Sequence, residues 1–291
     1  MDNWDDLKFV LALHRAGTMT AAARSLGTNV ATVSRRLDRL AEKLGRSVFI
    51  KTQAGWEAVP ETLGLIRAAE EFDASILREE NNAKANAGME VTAVKIVGSP
   101  VMHSAVLIPS LPKLLSKHPN LRPTLINRIR PGGLGDADLL LRFGRPETGR
   151  LIARRIGTVN FHAYRPVGSD KTADDGWVSL DADNDDKPPA VMGARIFSSE
   201  PMVRVSLFEH MVTAMMSTGL SGVLPDLVGN ASPDFEPTPG AEGRVSLECW
   251  MAFHQSRRDD VALRAAADWA VESFAATDWA NIDDEIEIAA E

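Results

Sequence analysis

The chain is predicted to fold as a multidomain α + α/β protein: a small helical domain first, then one long helix, then an α/β region over the remaining two-thirds. Three observations predict this. Apolar residues recur at helical spacing up to about residue 87; Gly17, Gly27 and Gly45 punctuate the first part at short intervals; and from Val91 strand-like runs alternate with helical ones. With 291 residues and 44% apolar content the chain can bury a sizeable core, and its length suits two domains better than one.

Asn3 can cap a first helix in which Asp6 sets a carboxylate near the positive end, and Leu7, Val10, Leu11, Ala12 and Leu13 form its apolar stripe until Gly17. Thr18 is the cap of a short second helix over 20–26, where Ala21, Ala22 and Ala23 allow close packing. A third follows within two residues, capped by Thr28 or Asn29, striped by Val33, Leu37, Leu40 and Leu44, and stopped at Gly45. Two helices joined by so tight a turn make a helix-turn-helix. Residues 47–50 and 56–59, separated by a turn at Gln53-Ala54-Gly55, predict a hairpin wing. Pro60 suits the first turn of a long helix reaching about residue 87, and its Leu65, Ala69, Phe72 and Ile76, spaced four, three and four apart, form the seam of a dimer-forming linker helix.

A net charge of -8 argues, taken globally, against nucleic acid as a partner. The third helix locally reverses that balance. Its face opposite the apolar stripe centres on Ala31 and Arg35, flanked by Ser34, Thr32 and Arg39, and Arg35, Arg36, Arg39, Lys43, Arg46 and Lys51 stand against only Asp38 and Glu42.

Beyond Val91, Val94-Lys95-Ile96-Val97 predicts a strand, Gly98-Ser99-Pro100 a turn and 106–118 a helix. Further strands are expected at 122–126, 138–143, 159–164, 222–225 and 250–254, with helices at 208–218 and 260–274.

Other classes find little support. There is no Gly-x-Ser-x-Gly elbow, His-Glu-x-x-His pair or Walker loop, and Gly132-Gly133-Leu134-Gly135 lacks the third glycine of a dinucleotide site, so the chain is expected not to be an enzyme. The six histidines have no metal-ligand spacing, and no metal or cofactor is expected. Cys249, the single cysteine, lies among Leu247, Trp250 and Met251 and reads as a buried thiol. The start lacks a signal-peptide pattern and no apolar run approaches a membrane span, so a cytoplasmic location is expected, with no membrane partner. The acidic stretch 283–291 reads as a solvated end.

The run Gly17-Thr18-Met19-Thr20-Ala21-Ala22-Ala23-Arg24-Ser25-Leu26, followed by Thr32-Val33-Ser34-Arg35-Arg36-Leu37, Leu44-Gly45, Phe49, Lys51 and Gly55, resembles the DNA-binding domain of LysR-type transcriptional regulators over roughly the first sixty-five residues. Looser matches, Ala137-Asp138-Leu139 and the run from Gly219 to Pro225, extend it into the rest. The resemblance implies a winged helix-turn-helix at 1–60, a linker helix at 61–88 and a two-subdomain α/β periplasmic-binding-protein-like effector domain at 91–291. Its first subdomain would span about 91–160 plus 264–280, and its second about 161–263. The implied function is transcription regulation through sequence-specific DNA binding, modulated by a small-molecule effector in a cleft between the subdomains.

The DNA-contacting set is then Thr20, Asn29, Val30, Ala31, Thr32, Ser34, Arg35, Arg36, Arg39 and Lys51. Val30 stands where the family commonly has glutamine, and Lys51 where arginine is common; valine cannot make glutamine's paired contact to adenine, though it can touch a thymine methyl. Effector candidates are Ser99, Pro100, Asn127, Arg128, Phe197 and Ser198. A turn that opens a helix offers amides and a hydroxyl to an anion, which suits a carboxylate, although Ser99 could equally serve as a helix cap. The implied partners are double-stranded DNA with an interrupted palindrome, further copies of the chain as dimer and tetramer, and RNA polymerase. The connection between Leu125 and Asp136 is short for the family's usual strand and helix, which would reduce one wall of the cleft. Two other functions fit the composition: a solute-binding module without DNA activity, and a constitutive DNA-architecture protein whose second half only oligomerises.

Overall fold

A computed structural model describes residues 5–52, 55–86, 91–127, 134, 137–146 and 151–277. Asn3, the turn residues Gln53 and Ala54, the effector candidate Arg128, most of the 128–136 connection with its glycine run, and the acidic end lie outside them.

The first domain consists of α1 (Asp5–Ala16), α2 (Met19–Ser25), α3 (Val30–Leu44) and an antiparallel hairpin, β1 (Phe49–Thr52) and β2 (Gly55–Ala58). The capping chemistry is local. Thr18 accepts from the Ala21 amide at 3.2 Å, and Asn29 accepts from the Thr32 amide at 2.8 Å, each such cap contributing about 1 kcal/mol. Gly45 closes α3 in the left-handed conformation. Val10, Leu13, Ala22, Val33, Leu40 and Phe49 bury their side chains in one core. Gly55 has φ +133°, and a Cβ there would stand 2.6 Å from the Gly17 carbonyl oxygen. The Trp56 amide donates to that carbonyl at 2.8 Å, so the wing is fixed against the α1–α2 turn by backbone contact that a side chain would obstruct.

Pro60 opens a single 3₁₀ turn and α4 (Leu63–Asn86) follows. The linker seam divides along its length. Ala69 is buried in the first domain's own core beside Ile66, with Leu65 packed against it, whereas Phe72 and Ile76 are exposed together with Leu77. Ala69 is therefore consumed within its own domain and is unavailable to a second copy. Four-three spacing records an apolar stripe without recording what covers each turn of it. The Arg15 guanidinium reaches Asp73 at 3.0 Å and ties α4 to α1.

The remaining chain forms, among the described residues, one nine-stranded sheet. Seven of its strands are β3 (Thr92–Gly98), β4 (Leu121–Asn127), β5 (Leu139–Phe143), β6 (Leu151–Pro166), β7 (Trp177–Leu180), β8 (Val203–Val205) and β9 (Ser221–Pro225); the others are β10 (Phe235–Pro237) and β11 (Val245–His254). The order is β4-β3-β5-β11-β6-β9-β7-β8, with β10 also on β6. Parallel pairing of β3 with β4 and β5 makes one lobe, and parallel pairing of β7 with β8 and β9 makes the other. The antiparallel β6 and β11 run through both and are longer than the sequence pattern indicates, since 159–164 and 250–254 cover only part of each. Ile156 is an extra residue opposite the Cys249/Trp250 step, a bulge that bends the pair near its middle.

Helices cover the sheet. After β3 the chain passes through α5 (Pro100–Met102), a widened π turn at His103–Leu107 and α6 (Ile108–Lys117). This helical stretch begins at Pro100, six residues before the apolar periodicity announces it. In the widened turn the Ile108 amide donates to the His103 carbonyl, and Pro109, which has no amide to donate, follows directly. The second lobe adds α7 (Pro188–Phe197), α8 (Phe208–Thr218) and α9 (Asp226–Gly229), and α10 (Val261–Ala276) returns to pack on the first lobe.

Candidate functional site

Two regions carry candidate function. On α3, Asn29, Val30, Ala31, Arg35 and Arg39 are exposed, Thr32 and Ser34 are half-buried, and Thr20 on α2 and Lys51 on the wing are also exposed. The Arg35 guanidinium lies 3.4 Å from the Thr32 hydroxyl, and the Ser34 hydroxyl 3.3 Å from Asp38. Arg36 departs from this face. Its guanidinium pairs with Asp6 at 3.0 Å and lies over the Phe9 ring at 5.5 Å, and Asp6 is only 2% exposed. A carboxylate taken out of water needs its cation, so Arg36 clasps α3 to α1. Arg46, in the same basic strip, donates to the Glu61 carbonyl at 3.1 Å and holds the entry to the linker. Among the described residues, no carboxylate pairs with Arg35, Arg39, Lys43 or Lys51 of this strip.

The second region is a cavity of about 410 Å³ between the lobes, at the carboxyl ends of β3, β5 and β7. Crevices outside the carboxyl ends of parallel strands are where open α/β sheets bind ligands. Ser99 and Pro100 border it from the first lobe with Arg142 and Phe143, while Trp177, Ser179, Asn184 and Lys187 border it from the second. The Ser99 backbone begins α5, yet its hydroxyl makes no capping bond.

The other effector candidates are placed differently. Phe197 lies one layer behind the wall, stacked on Trp177 with ring centroids 5.2 Å apart. Ser198 ends α7 in a left-handed conformation at φ 50° and is exposed outside the cavity. Asn127 also lies off the lining; its side-chain oxygen stands 2.9 Å from Nδ1 of His103. His103 is buried, and burial pulls its pKa below the usual histidine value against the opposing effect of that hydrogen bond. The strand-like Trp177-Val178-Ser179-Leu180 was the signal for the missing wall, being apolar, tryptophan-led and preceded by glycine. Arg142 and Lys187 had none, because nothing periodic distinguishes a strand-end arginine from a solvated one.

Two buried polar groups support the scaffold. The Arg257 guanidinium bonds Asp138 and, through Nε at 3.0 Å, Asp260; Asp138 also accepts from the Lys95 amide at 2.6 Å, and Asp260 caps α10 by accepting from Leu263 at 3.0 Å. The Ala137-Asp138-Leu139 pattern therefore marks a structural ion cluster joining β3, β5 and α10. In the second lobe Asp226 accepts from the Tyr164 hydroxyl at 2.8 Å and lies 2.6 Å from Nδ1 of His162. Burial, then the adjacent carboxylate, pushes the Tyr164 phenol well above its usual range. Cys249 is fully buried, and that burial pushes its thiol up to about 12. Among the described residues no three His, Cys, Asp or Glu side chains are grouped to hold a metal, and no helix is long and apolar enough to cross a membrane.

A winged helix-turn-helix with an exposed basic recognition helix, joined by a long helix to a two-lobed α/β domain, defines a DNA-binding transcriptional regulator. Residues 4–61 match the family described as "Bacterial regulatory helix-turn-helix protein, lysR family". The chain is 25% identical to the Mau operon transcriptional activator of Paracoccus denitrificans, over 94% of this chain and 98% of that protein. Its fold is similar to a full-length OxyR variant from Pseudomonas aeruginosa, with TM-score 0.61 and 13% identity over 95% of this chain and 96% of that one. It is also similar to full-length LysG from Corynebacterium glutamicum with bound effector Arg, with TM-score 0.55 and 17% identity over 93% and 98%. Residues 4–61 thus carry a helix-turn-helix domain of the LysR family, and the chain as a whole is similar to a transcriptional activator in sequence and to full-length OxyR and LysG in fold.

Proposed function

We propose that the protein is a cytoplasmic, effector-responsive regulator that reads an interrupted palindrome as a dimer or tetramer. The observation that carries this reading is the presence in one chain of a cation-bearing recognition face and a ligand-sized cleft whose two lobes share β6 and β11. Ala31, Arg35 and Arg39 would enter the major groove, with Val30 beside a thymine methyl, while Lys51 on the wing approaches the adjacent backbone. Ile76, with Phe72 and Leu77, is the exposed part of α4 that a second copy would cover, and Ser99 and Pro100 belong to the effector wall. A ligand that binds better to one lobe arrangement would shift the spacing of paired recognition helices by its differential affinity. The relative LysG, solved with an effector bound, supports assigning a small molecule to this domain.

A mobility-shift titration of the intact protein on DNA just upstream of its own gene, against random DNA at physiological salt, tests the reading. Specific, salt-sensitive retardation is expected, with a preference of about a thousandfold or more. Equal retardation of both DNAs, unaltered by any small molecule, would favour the constitutive architectural function instead.

A further inference from the structure

Resting on that reading of the cleft, we infer that its ligand is a carboxylate anion carried on a flat aromatic body of one or two rings. The charged part of the lining has one sign: Arg142 and Lys187 border the cavity and no Asp or Glu does. Arg142 leaves the carboxyl end of β5 half-buried, and its Nε donates to the Phe143 carbonyl at 3.2 Å. No carboxylate among the described residues pairs with it. A guanidinium withdrawn from water with donors to spare is matched by a planar carboxylate, which can accept two parallel N–H bonds. Lys187 is already bonded to the exposed Asp186 at 2.7 Å, so its contribution is the weaker, screened one.

The body of the ligand follows from the walls. Phe143, Phe161, Trp177 and Phe208 line the cavity, and Phe197 stacked behind Trp177 holds the indole in place. Aromatic rings favour offset or edge-on partners and reward a flat apolar guest. At roughly 30 Å³ for each water-sized group, a cavity of about 410 Å³ holds on the order of a dozen non-hydrogen atoms. That accommodates an aryl carboxylate.

Calorimetric titration of the full chain with benzoate, cinnamate and 2-naphthoate, each beside its amide, and with benzylamine, tests the inference. At least one carboxylate is expected to bind about tenfold or more tightly than its amide, as one charge-assisted hydrogen bond implies. Arg142→Met should abolish that preference while cooperative melting stays intact, and Arg142→Lys should keep part of it. Binding of an amide or of benzylamine as tightly as the carboxylates would overturn the anion class while leaving the sensor reading standing. Binding by none of the seven would overturn the aryl-carboxylate class, while the sensor reading stands or falls by the mobility-shift titration.

Discussion

The winged domain and the inter-lobe cleft differ in how their residues are assembled. The recognition face draws on two helices and one hairpin within residues 20–51, whereas the cleft gathers side chains from Ser99 to Leu247. The first is a matter of local periodicity and caps; the second exists only once β3, β5 and β7 end at the same place. Residue number therefore says much about the DNA face and little about the ligand face.

The contrast breaks most visibly at the ion clusters that hold each region. Replacing Arg257 by Met leaves two buried carboxylates without their cation and should destabilise the effector domain by about 3–5 kcal/mol, read as a lowered urea midpoint. Replacing Arg36 by Ala strands Asp6 and should cost the winged domain about 2–3 kcal/mol, less because Arg36 is partly exposed. An unchanged midpoint in that variant would return Arg36 to the DNA face. Gly55→Ala comes next: strain at a positive φ together with the Gly17 carbonyl should cost about 1–2 kcal/mol and weaken DNA binding through a displaced wing. The smallest effect is chemical. With its thiol raised to about 12 by burial, Cys249 should stay unreactive to a thiol reagent at pH 8 until the domain unfolds, and rapid native labelling would contradict its placement.

Legibility followed the same division. The cap Thr18, the stop at Gly45 and the stripe Val33, Leu37 and Leu40 were readable, and the choice between Thr28 and Asn29 falls to Asn29, because each is decided by neighbours within a few residues. The pairing of Arg36 was not legible, since its partner Asp6 is thirty positions away and at 100° per residue Arg36 borders the exposed arc. Ala69 was misassigned because an alanine at a seam position reads alike whether its own domain or a partner covers it. In the effector domain the helix at 208–218 and its stop at Gly219 were legible, yet β7, α7 and the first halves of β6 and β11 were not. Over 151–158 the exposures do not alternate, which hides the start of β6, whereas Val245-Ser246-Leu247-Glu248-Cys249 does alternate and was a strand signal left unread. The cleft candidates fared accordingly: Ser99 and Pro100, read from a turn that opens a helix, line the cavity, while Asn127, Phe197 and Ser198, read from approximate correspondence, do not.

The central claim, that this chain reads DNA through the exposed arc of α3, is tested most directly by the salt dependence of operator affinity in the wild type, Arg35→Ala and Arg36→Ala. The account predicts that Arg35→Ala weakens binding and lowers the slope of log affinity against log salt by about one, with unchanged stability. Arg36→Ala, measured at a temperature where it remains folded, should keep the wild-type slope. Equal slopes for wild type and Arg35→Ala, or a loss confined to Arg36→Ala, would contradict it.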